Sequence, residues 1–535
     1  MNRSYADLHD HLKALERAGL LVTVERAINK DTEMHPLVRW QFRGGIAEKD
    51  RKAFLFKNVI DSKNKKYDIP VVVGALAANR EIYRLGIGCP LEKINETWTR
   101  AIANPVAPNV VQDAPCHEIE VKGLEELPIP ISTPGWDIAP FTTLSQYITK
   151  DPETGVQNMG IYRGQVKGPR KLGMNPSLEL RPGIYVHWEK MKRRKQKLPA
   201  AVVLGAPPCV AFASAQKVPE HLDELHVAGA LVGSPINVVK AKTVDLLVPA
   251  EAEIVVEGLI DTEYLEPEAP FGESHGHVNL QEYNAYLEVT CITRRRDAIL
   301  TSIISQVTPS ESSLIKRVAL EPLFTSHLRD ALAIRGVKRV SMHEPLTNLR
   351  KVVVIVVEKD TPRTEIWRAL YGAVSWNRAA GKYVIAVNDD IDPDDANALL
   401  WAMSYRANPA LDIQILHHRD QGHGPRSKRN NGEDASVLVD ATMKEAFPPI
   451  SLPKREYMER AKAIWEELGL PKLKPEAPWY GYSLGEWPDE LARAADLAVK
   501  GDYFETGKLL EKRKRNDVGM NTEVRDLSHK QESDE

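Results

Sequence analysis

The sequence predicts an α/β protein built in three parts, followed by a helical C-terminal extension. Three observations carry that prediction. The first 115 residues mix strand-sized apolar runs with stretches of helical spacing. From about Glu118 to Gln306 the pattern is β-rich, with polar turns between short strands. Beyond Pro309 helices and strands alternate, which favours a sheet with largely parallel pairing. A length of 535 residues exceeds one ordinary core. The expected divisions are residues 1–115, 116–310, 311–450 and 451–535.

The elements follow in order. Leu8, Leu12 and Leu15 recur at helical spacing in the stretch from Asp7 to Leu20, and Gly19 is a stop signal. Leu21 to Val24, Ala53 to Phe56 and Ile69 to Val73 read as strands. Arg80 to Leu85 and Leu91 to Ala103 read as helices. In the middle part, strands are expected at Ser145 to Thr149, Met159 to Arg163, Ala200 to Leu204, Ile236 to Val239, Glu253 to Glu257 and Tyr286 to Ile292. Asp151-Pro152-Glu153-Thr154-Gly155 supplies turn chemistry between the first two. Many short strands of this kind argue a barrel or sandwich, with helices inserted near Tyr185 to Lys197 and Leu222 to Leu231. The third part reads as strands at Val352 to Val357, Tyr383 to Asn388 and Ile413 to Leu416, with helices at Thr364 to Ala379 and Asp392 to Met403. Gln421 to Glu433 is charged and Gly-rich, so a loop is expected. Glu456 to Leu468 and Asp489 to Leu510 read as terminal helices, and Asn516 to Glu535 as a polar tail.

Composition excludes several function classes. The formal net charge is −3, so no global basic field exists to bind nucleic acid. No run of about 18 apolar residues appears, so no membrane-spanning helix is expected. The N-terminus lacks the apolar core of a signal peptide. The four cysteines, Cys89, Cys116, Cys209 and Cys291, form no CxxC pair, which fits a cytoplasmic location. Neither a P-loop nor a GxSxG elbow is present, and no GxGxxG follows a strand.

The stretch Pro267-Glu268-Ala269-Pro270-Phe271-Gly272-Glu273-Ser274-His275-Gly276 carries the strongest chemical signal. Pro270 and Gly272 disfavour a helix, so it reads as a loop. Two neighbouring carboxylates cannot both ionise freely, and a held proton is what a general acid needs. The bland alternative is a solvated acidic loop. Arg163, at the end of Asn158-Met159-Gly160-Ile161-Tyr162-Arg163, can clamp a carboxylate bidentately, or it is an exposed strand arginine. Ala213-Ser214-Ala215-Gln216 reads as a carbonyl-rich turn that suits a hard cation. Glu224 offers a carboxylate to the same ion or decorates a helix. His275 and His277 are too few to define a metal site. The basic run from Lys190 to Lys197 reads as a solvated helix face.

Taken together these pieces resemble the UbiD family of prenylated-FMN-dependent decarboxylases. The matching segments are Asn158 to Arg163, Glu224 with Ala228-Gly229, Val248 to Val255, Pro267 to Gly276 and Asp440-Ala441-Thr442, in the family's order. The resemblance implies an N-terminal α/β domain, a central split β-barrel like that of flavin reductases and a C-terminal α/β domain. It implies prenylated FMN as cofactor, and catalysis by Arg163, Glu268 and Glu273. Arg163 would orient the substrate carboxylate, Glu268 would position Arg163, and Glu273 would protonate the product carbon. Asn158 and Glu224 would hold Mn2+, or Fe2+ or Mg2+, against the cofactor phosphate, while Ala213, Ser214 and Gln216 would supply carbonyls to K+. Ile161, Tyr162 and Arg181 would also line the cofactor. Two departures stand out. The family's metal-binding His falls near Arg181-Pro182 here, so either Arg181 meets the phosphate or His187 is recruited. A family Lys or Arg four residues before Asp440 is Ser436 here, and Lys428 or Arg426 could substitute.

The implied reaction is non-oxidative loss of CO2 from an aromatic or α,β-unsaturated acid, through a covalent adduct with the prenylated flavin. The chain runs past Thr442 by over 90 residues, from Met443 to Glu535. Trp479 to Gly485 and the basic residues Lys512, Arg513, Lys514 and Arg515 could cover an aryl-CoA thioester such as phthaloyl-CoA. The same tail could instead clasp subunits. Implied partners are the aromatic acid or its CoA ester, a flavin prenyltransferase as cofactor supplier, and further copies of this chain in a dimer or hexamer. Neither nucleic acid nor membrane is expected as a partner. Alternatives are a hydroxybenzoate-type decarboxylase, a non-catalytic subunit of a carboxylase complex, or, by barrel analogy alone, a flavin reductase.

Overall fold

The computed structural model describes residues 5–176, 182–216, 218–268, 270–280, 282–345, 347, 349–376, 380–420, 433–445, 453–473 and 487–511. These form two compact units, residues 1–442 and residues 443–535.

In the first unit, the opening helix Leu8–Arg17 is capped by the Asp7 carboxylate, which accepts the Asp10 N–H, and buries Leu8, Leu12 and Leu15. That leucine stripe packs on a five-stranded sheet. Its main path runs Leu21–Asn29, Ala53–Ile60, Val71–Val73, Leu300–Ser302. Leu300–Ser302 joins beside Val71–Val73 in parallel, so the chain returns here after its long middle excursion.

The middle excursion is a nine-stranded antiparallel sheet. Its order is Phe141–Thr142, Gly164–Gly168, Lys171–Gly173, Tyr286–Arg294, Ile254–Ile260, Leu198–Leu204, Ser145–Lys150, Gln157–Ile161, with Ile119–Glu120 added at Tyr286–Arg294. Gln157–Ile161 stands at one end of that order, and Gly164–Gly168 stands next to the other end. Only Tyr162 and Arg163 connect them. The three steps from Ile161 to Gly164 span about 11 Å at most. The two ends must therefore lie close, and the sheet is strongly curled into a half-barrel, as a split barrel requires. Arg163 sits at the seam.

The stretch Pro267 to Gly276, expected as a loop, instead carries two short ladders. Glu266–Glu268 pairs with Glu282–Asn284, and Phe271–Gly272 pairs with Val278–Asn279, both antiparallel. Pro270, which argued for a loop, falls between the two ladders, where its missing N–H costs no pairing. Gly276 closes the tip at φ +91°, a conformation that needs glycine.

The helix Glu311–Ser326 is fixed at its start by a reciprocal capping box between Ser310 and Ser313. The last sheet of the unit has the order Val337–Met342, Val352–Val357, Tyr383–Asn388, Glu433–Asp440, Ile413–Asp420. Its three central strands pair in parallel, but both edge pairs are antiparallel, so the pairing is mixed rather than largely parallel. The helix Arg363–Trp376 covers one face and Ala396–Arg406 the other. Coverage on both faces explains the unbroken apolar run of Val352–Val357.

In the second unit the described residues form three helices, Arg455–Glu467, Asp489–Val499 and Tyr503–Glu511. The stretch expected as helical from Asp489 to Leu510 breaks at Gly501, whose φ of +89° ends a right-handed helix. Among the described residues no helix is long and apolar enough to cross a membrane.

Candidate active site

The seam of the half-barrel places Arg163 beside both glutamates of the 266–284 segment. Its Nε donates to Glu268 Oε1 at 2.8 Å and its Nη2 to Glu268 Oε2 at 2.7 Å. Its Nη1 meets Glu273 Oε1. The Glu268 side chain has no exposed surface, and that of Arg163 is 9% exposed. Neither the solvated acidic loop nor the exposed strand arginine is what the fold builds. Phe271 lies under the guanidinium, 4.8 Å from ring centroid to Cζ. Asn175, which bridges Arg163 through the backbone, donates its amide to Glu268 Oε2 at 3.3 Å. The Asp137 carboxylate accepts the Gly272 N–H at 2.9 Å and the Thr133 N–H at 2.7 Å, anchoring the segment from behind. Burial pushes the Asp137 carboxyl above its ordinary value despite those donors.

A guanidinium has five N–H groups. Glu268 takes the Nε–H and one Nη2–H, and Glu273 takes one Nη1–H. One Nη1–H and one Nη2–H remain without a partner among the described residues. The arrangement can thus hold a substrate carboxylate on an arginine whose direction is fixed by a second carboxylate, with a third carboxylate alongside.

Asn158 and Glu224 form a second cluster. Glu224 is the first residue of the helix Glu224–Val232, after the Asp223 cap, and is 2% exposed, so it is not a surface decoration. Its Oε1 accepts the Asn158 Nδ2–H at 2.8 Å and its Oε2 the Met159 N–H at 2.6 Å. Burial, with a smaller push from the neighbouring Asp223, raises its carboxyl to about 8. Asn158 Oδ1 is buried and without a hydrogen-bond partner. An orphaned amide oxygen beside a carboxylate with no counter-charge is the donor chemistry of a hard cation, so these two residues fit one. Gly183 is required here, because a Cβ at that position would collide with the Asn158 amide.

The remaining expected site residues fall as follows. His187 is buried on the helix Gly183–Arg193. Its Nδ1 pairs with the Thr149 hydroxyl at 2.9 Å and its Nε2 lies 3.9 Å from Asp151. Burial lowers it to about 4, so the ring is neutral. No hydrogen bond or ion pair joins it to Asn158 or Glu224. Ala213 and Ser214 do not form a turn; they end the helix Pro208–Ala215, and Gln216 caps it by donating its N–H to Ala213 O. Helix-end carbonyls carry partial negative charge and keep the option of a cation. Ile161 ends the strand Gln157–Ile161 and Tyr162 stacks edge-on against Tyr147 at 5.9 Å. Ser436 is buried and accepts the Arg419 Nε–H at 3.3 Å. Arg419 is thus a cation near that position which the sequence reading missed, since it lies on the neighbouring strand Ile413–Asp420. Arg181, Arg426, Lys428, the segment 479–485 and Lys512 to Arg515 lie outside the described residues. Among the described residues no three His, Cys, Asp or Glu side chains converge on one point. The run from Lys190 to Lys197 is not simply a solvated face, for Lys190 pairs with Asp151 and Glu153, and Lys197 with Asp261 and Glu288.

Comparison with known proteins agrees with this fold. The 3-octaprenyl-4-hydroxybenzoate carboxy-lyase Rift-related domain matches residues 109–307, and the C-terminal domain of the same enzyme class matches residues 313–441. An uncharacterized protein of Aquifex aeolicus is 29% identical over 511 residues, covering 88% of this chain and 100% of its own length. An evolved dimeric form of the UbiD-class enzyme HmfF from Pelotomaculum thermopropionicum, in complex with prFMN, is 30% identical with a TM-score of 0.73. The match covers 84% of this chain and 97% of that one. The same enzyme in complex with FMN gives a TM-score of 0.75 at 29% identity, over 85% and 99% of the two chains. Vanillic acid decarboxylase of Sedimentibacter hydroxybenzoicus, at 24% identity and a TM-score of 0.72 over 87% and 99%, shares the fold. A half-barrel flanked by α/β layers in this order defines a class of carboxy-lyases. The chain belongs to the UbiD family, and is a decarboxylase of that class.

Proposed function

We propose that the protein removes CO2, without oxidation, from an aromatic or α,β-unsaturated carboxylic acid with the help of prenylated FMN. The observation that carries this reading is Arg163, locked by Glu268, touching Glu273, and keeping two N–H groups for a substrate carboxylate. The flavin is supported by HmfF, whose structures hold prFMN and FMN. When bound, prenylated FMN supplies the electron sink that an sp2 carbon losing CO2 requires.

The chain's own residues do the rest. Arg163 binds and orients the departing carboxylate. Glu268 keeps the guanidinium from swinging, and Phe271 excludes water from its face. Glu273 delivers a proton to the carbon that has lost CO2, so that a carboxylate and a proton leave as hydrocarbon and CO2. Asn158 and Glu224 would hold a divalent cation, Mn2+ in the first instance, whose charge would offset that of the cofactor phosphate. The carbonyls of Ala213, Ser214 and Gln216 serve K+. The finer substrate reading is an aryl-CoA acid, supported by the long extension after Thr442. A cytoplasmic site of action is supported by four buried, unbridged cysteines. A homo-oligomer is supported by the dimeric form of HmfF.

The test is production with and without a flavin prenyltransferase, followed by the cofactor's mass spectrum and assay of CO2 release from a panel of aryl acids and their thioesters. Release that depends on the prenylated cofactor is expected. A protein that carries no flavin and releases no CO2 under both conditions would overturn the reading in favour of a non-catalytic subunit.

A further inference from the structure

The tip that carries Glu273 has little of its own to hold it. Its ladder joins Phe271 to Asn279 and Gly272 to Val278, and a lone hairpin that short is marginal at best in water. Within the tip, the Glu273 N–H donates to His277 O at 3.0 Å and the Gly276 N–H to Glu273 O at 3.1 Å. Both bonds shape the tip without fixing its place.

The place is set at Gly272. Its N–H donates to Asp137 Oδ1 at 2.9 Å, between residues 135 positions apart in the chain. Asp137 is 9% exposed and is held in a closed turn of its own. Its Oδ2 accepts the Thr133 N–H at 2.7 Å, and its N–H donates to Thr133 O at 3.0 Å. The direction of the carboxylate is thus determined independently of the tip. The chain then runs from Asp137 into the strand Phe141–Thr142, which pairs with Gly164 and Gln165, the residues directly after Arg163. The Phe141 ring packs against that of Phe271, 4.5 Å between centroids. One segment, 133–142, therefore seats both the strand that leads from Arg163 and the tip that carries Glu273. The seat is tight. A Cβ at Gly272 would collide with the Thr133 hydroxyl and press on the Gln306 side chain at 3.2 Å. Gln306 cannot easily yield, for it is buried and its Oε1 accepts from Arg39 on the helix Met34–Arg43.

We propose that Asp137 is a positioning residue for proton delivery. Through the Gly272 N–H it sets where the Glu273 carboxylate, one residue on, stands against Arg163 and the carbon that has lost CO2. Asp137 itself exchanges no proton with the substrate. The pair that binds the substrate carboxylate, Arg163 locked by Glu268, is made without it, so its loss acts on turnover rather than on binding. This rests on the decarboxylase reading and deepens it by naming what keeps Glu273 in reach.

The flavin-loaded full chain tests it, with CO2 release measured in H2O and D2O on whichever acid of the aryl panel wild type turns over fastest. Asp137→Ala should lower kcat by about 10²-fold, the usual cost of a displacement near 1 Å, with KM within about twofold. The solvent isotope effect on kcat should rise, because proton delivery becomes the slow step. Asp137→Asn keeps an oxygen for the Gly272 N–H and should restore most of kcat. Wild-type kcat in Asp137→Ala would overturn the proposal. So would a lower kcat with an unchanged isotope effect, or one matched by loss of flavin, since a merely structural residue behaves that way. If Asp137→Ala fails to fold, Gly272→Ala pushes the same tip off its seat. Its kcat must then fall with KM held, and wild-type kcat there overturns the proposal. Amide hydrogen exchange across 271–279 lets the two readings fail separately. Wild type that releases no CO2 sinks the decarboxylase reading, while exchange that quickens in Asp137→Ala and not in Asp137→Asn confirms the seat. CO2 release with kcat and exchange equal in wild type and Asp137→Ala sinks the positioning role alone.

Discussion

At the scale of single residues, Arg163 shows why identity matters more than charge. Lysine carries the same charge but cannot make the two parallel bonds to Glu268 and still reach Glu273. Arg163→Lys should therefore lower kcat/KM by about 10²-fold, as expected for a misplaced carboxylate, while the protein keeps its flavin. Retention of wild-type kcat/KM would remove Arg163 from the chemistry. Glu273→Gln preserves shape but cannot deliver a proton. Its turnover should fall by about 10²- to 10⁴-fold with the circular dichroism spectrum unchanged, and unaltered turnover would assign the proton to another group. Glu224→Ala asks a different question. It removes one of two oxygen donors around the orphaned Asn158 amide, so metal content and flavin retention after gel filtration should fall together. Full occupancy of both would make Glu224 a buried helix residue with no ligand role.

At the scale of elements, what the sequence shows depends on whether a signal is local. Val352–Val357 and Tyr383–Asn388 were legible because a strand buried on both faces is apolar throughout. Pro267 to Gly276 reads as a loop in the sequence because its partners Val278–Asn279 and Glu282–Asn284 lie beyond the glycine turn, and pairing is not a property of either strand alone. The contacts of Arg163 with Glu268 span 105 residues, so spacing pointed to the residue types and could not place them together. The helix Glu311–Ser326 offers a test at this scale. Glu311 is fully buried and accepts the N–H groups of Gly74, Leu76 and Ala77 at 3.0–3.2 Å. Burial still outweighs those donors and raises its carboxyl to about 7. A raised carboxyl contributes stability that is complete below its ordinary value of about 4.5 and is lost as pH rises through 7. The loss is roughly 3 kcal/mol by the free energy of such a shift. Urea midpoints of wild type should thus fall between pH 4.5 and 7.5 relative to those of Glu311→Gln. Parallel midpoints for the two proteins would show that the backbone donors hold Glu311 ionised throughout.

At the scale of the whole molecule, all the large apolar cores among the described residues lie within residues 1–442. The N-terminal and middle segments share a sheet through Leu300–Ser302, and Glu311 and the Arg317 network bind the helix after that strand to both sides of the unit. The second unit is built differently. Its helices Arg455–Glu467 and Asp489–Val499 contain no buried residue, so they bring no core of their own. Cooperative stability comes mainly from buried apolar surface, and a segment without it adds little to the unfolding transition. A chain ending at Glu445 should therefore remain soluble, bind flavin and melt within about 1 °C of the full chain, a shift of about 1 kcal/mol for a unit of this size. Aggregation or a much lower melting temperature would mean that the extension completes the first unit. The same truncation separates the substrate readings. If the extension holds a CoA thioester, the Michaelis constant for the thioester should rise while turnover stays nearly constant, because a remote handle is bound equally in ground and transition states. Added salt should mimic the truncation on exposed phosphate contacts. If the extension instead clasps subunits, light scattering should report a smaller species with unchanged kinetics. Normal size and normal kinetics in the truncated chain would place the choice between one acid and another within the first unit.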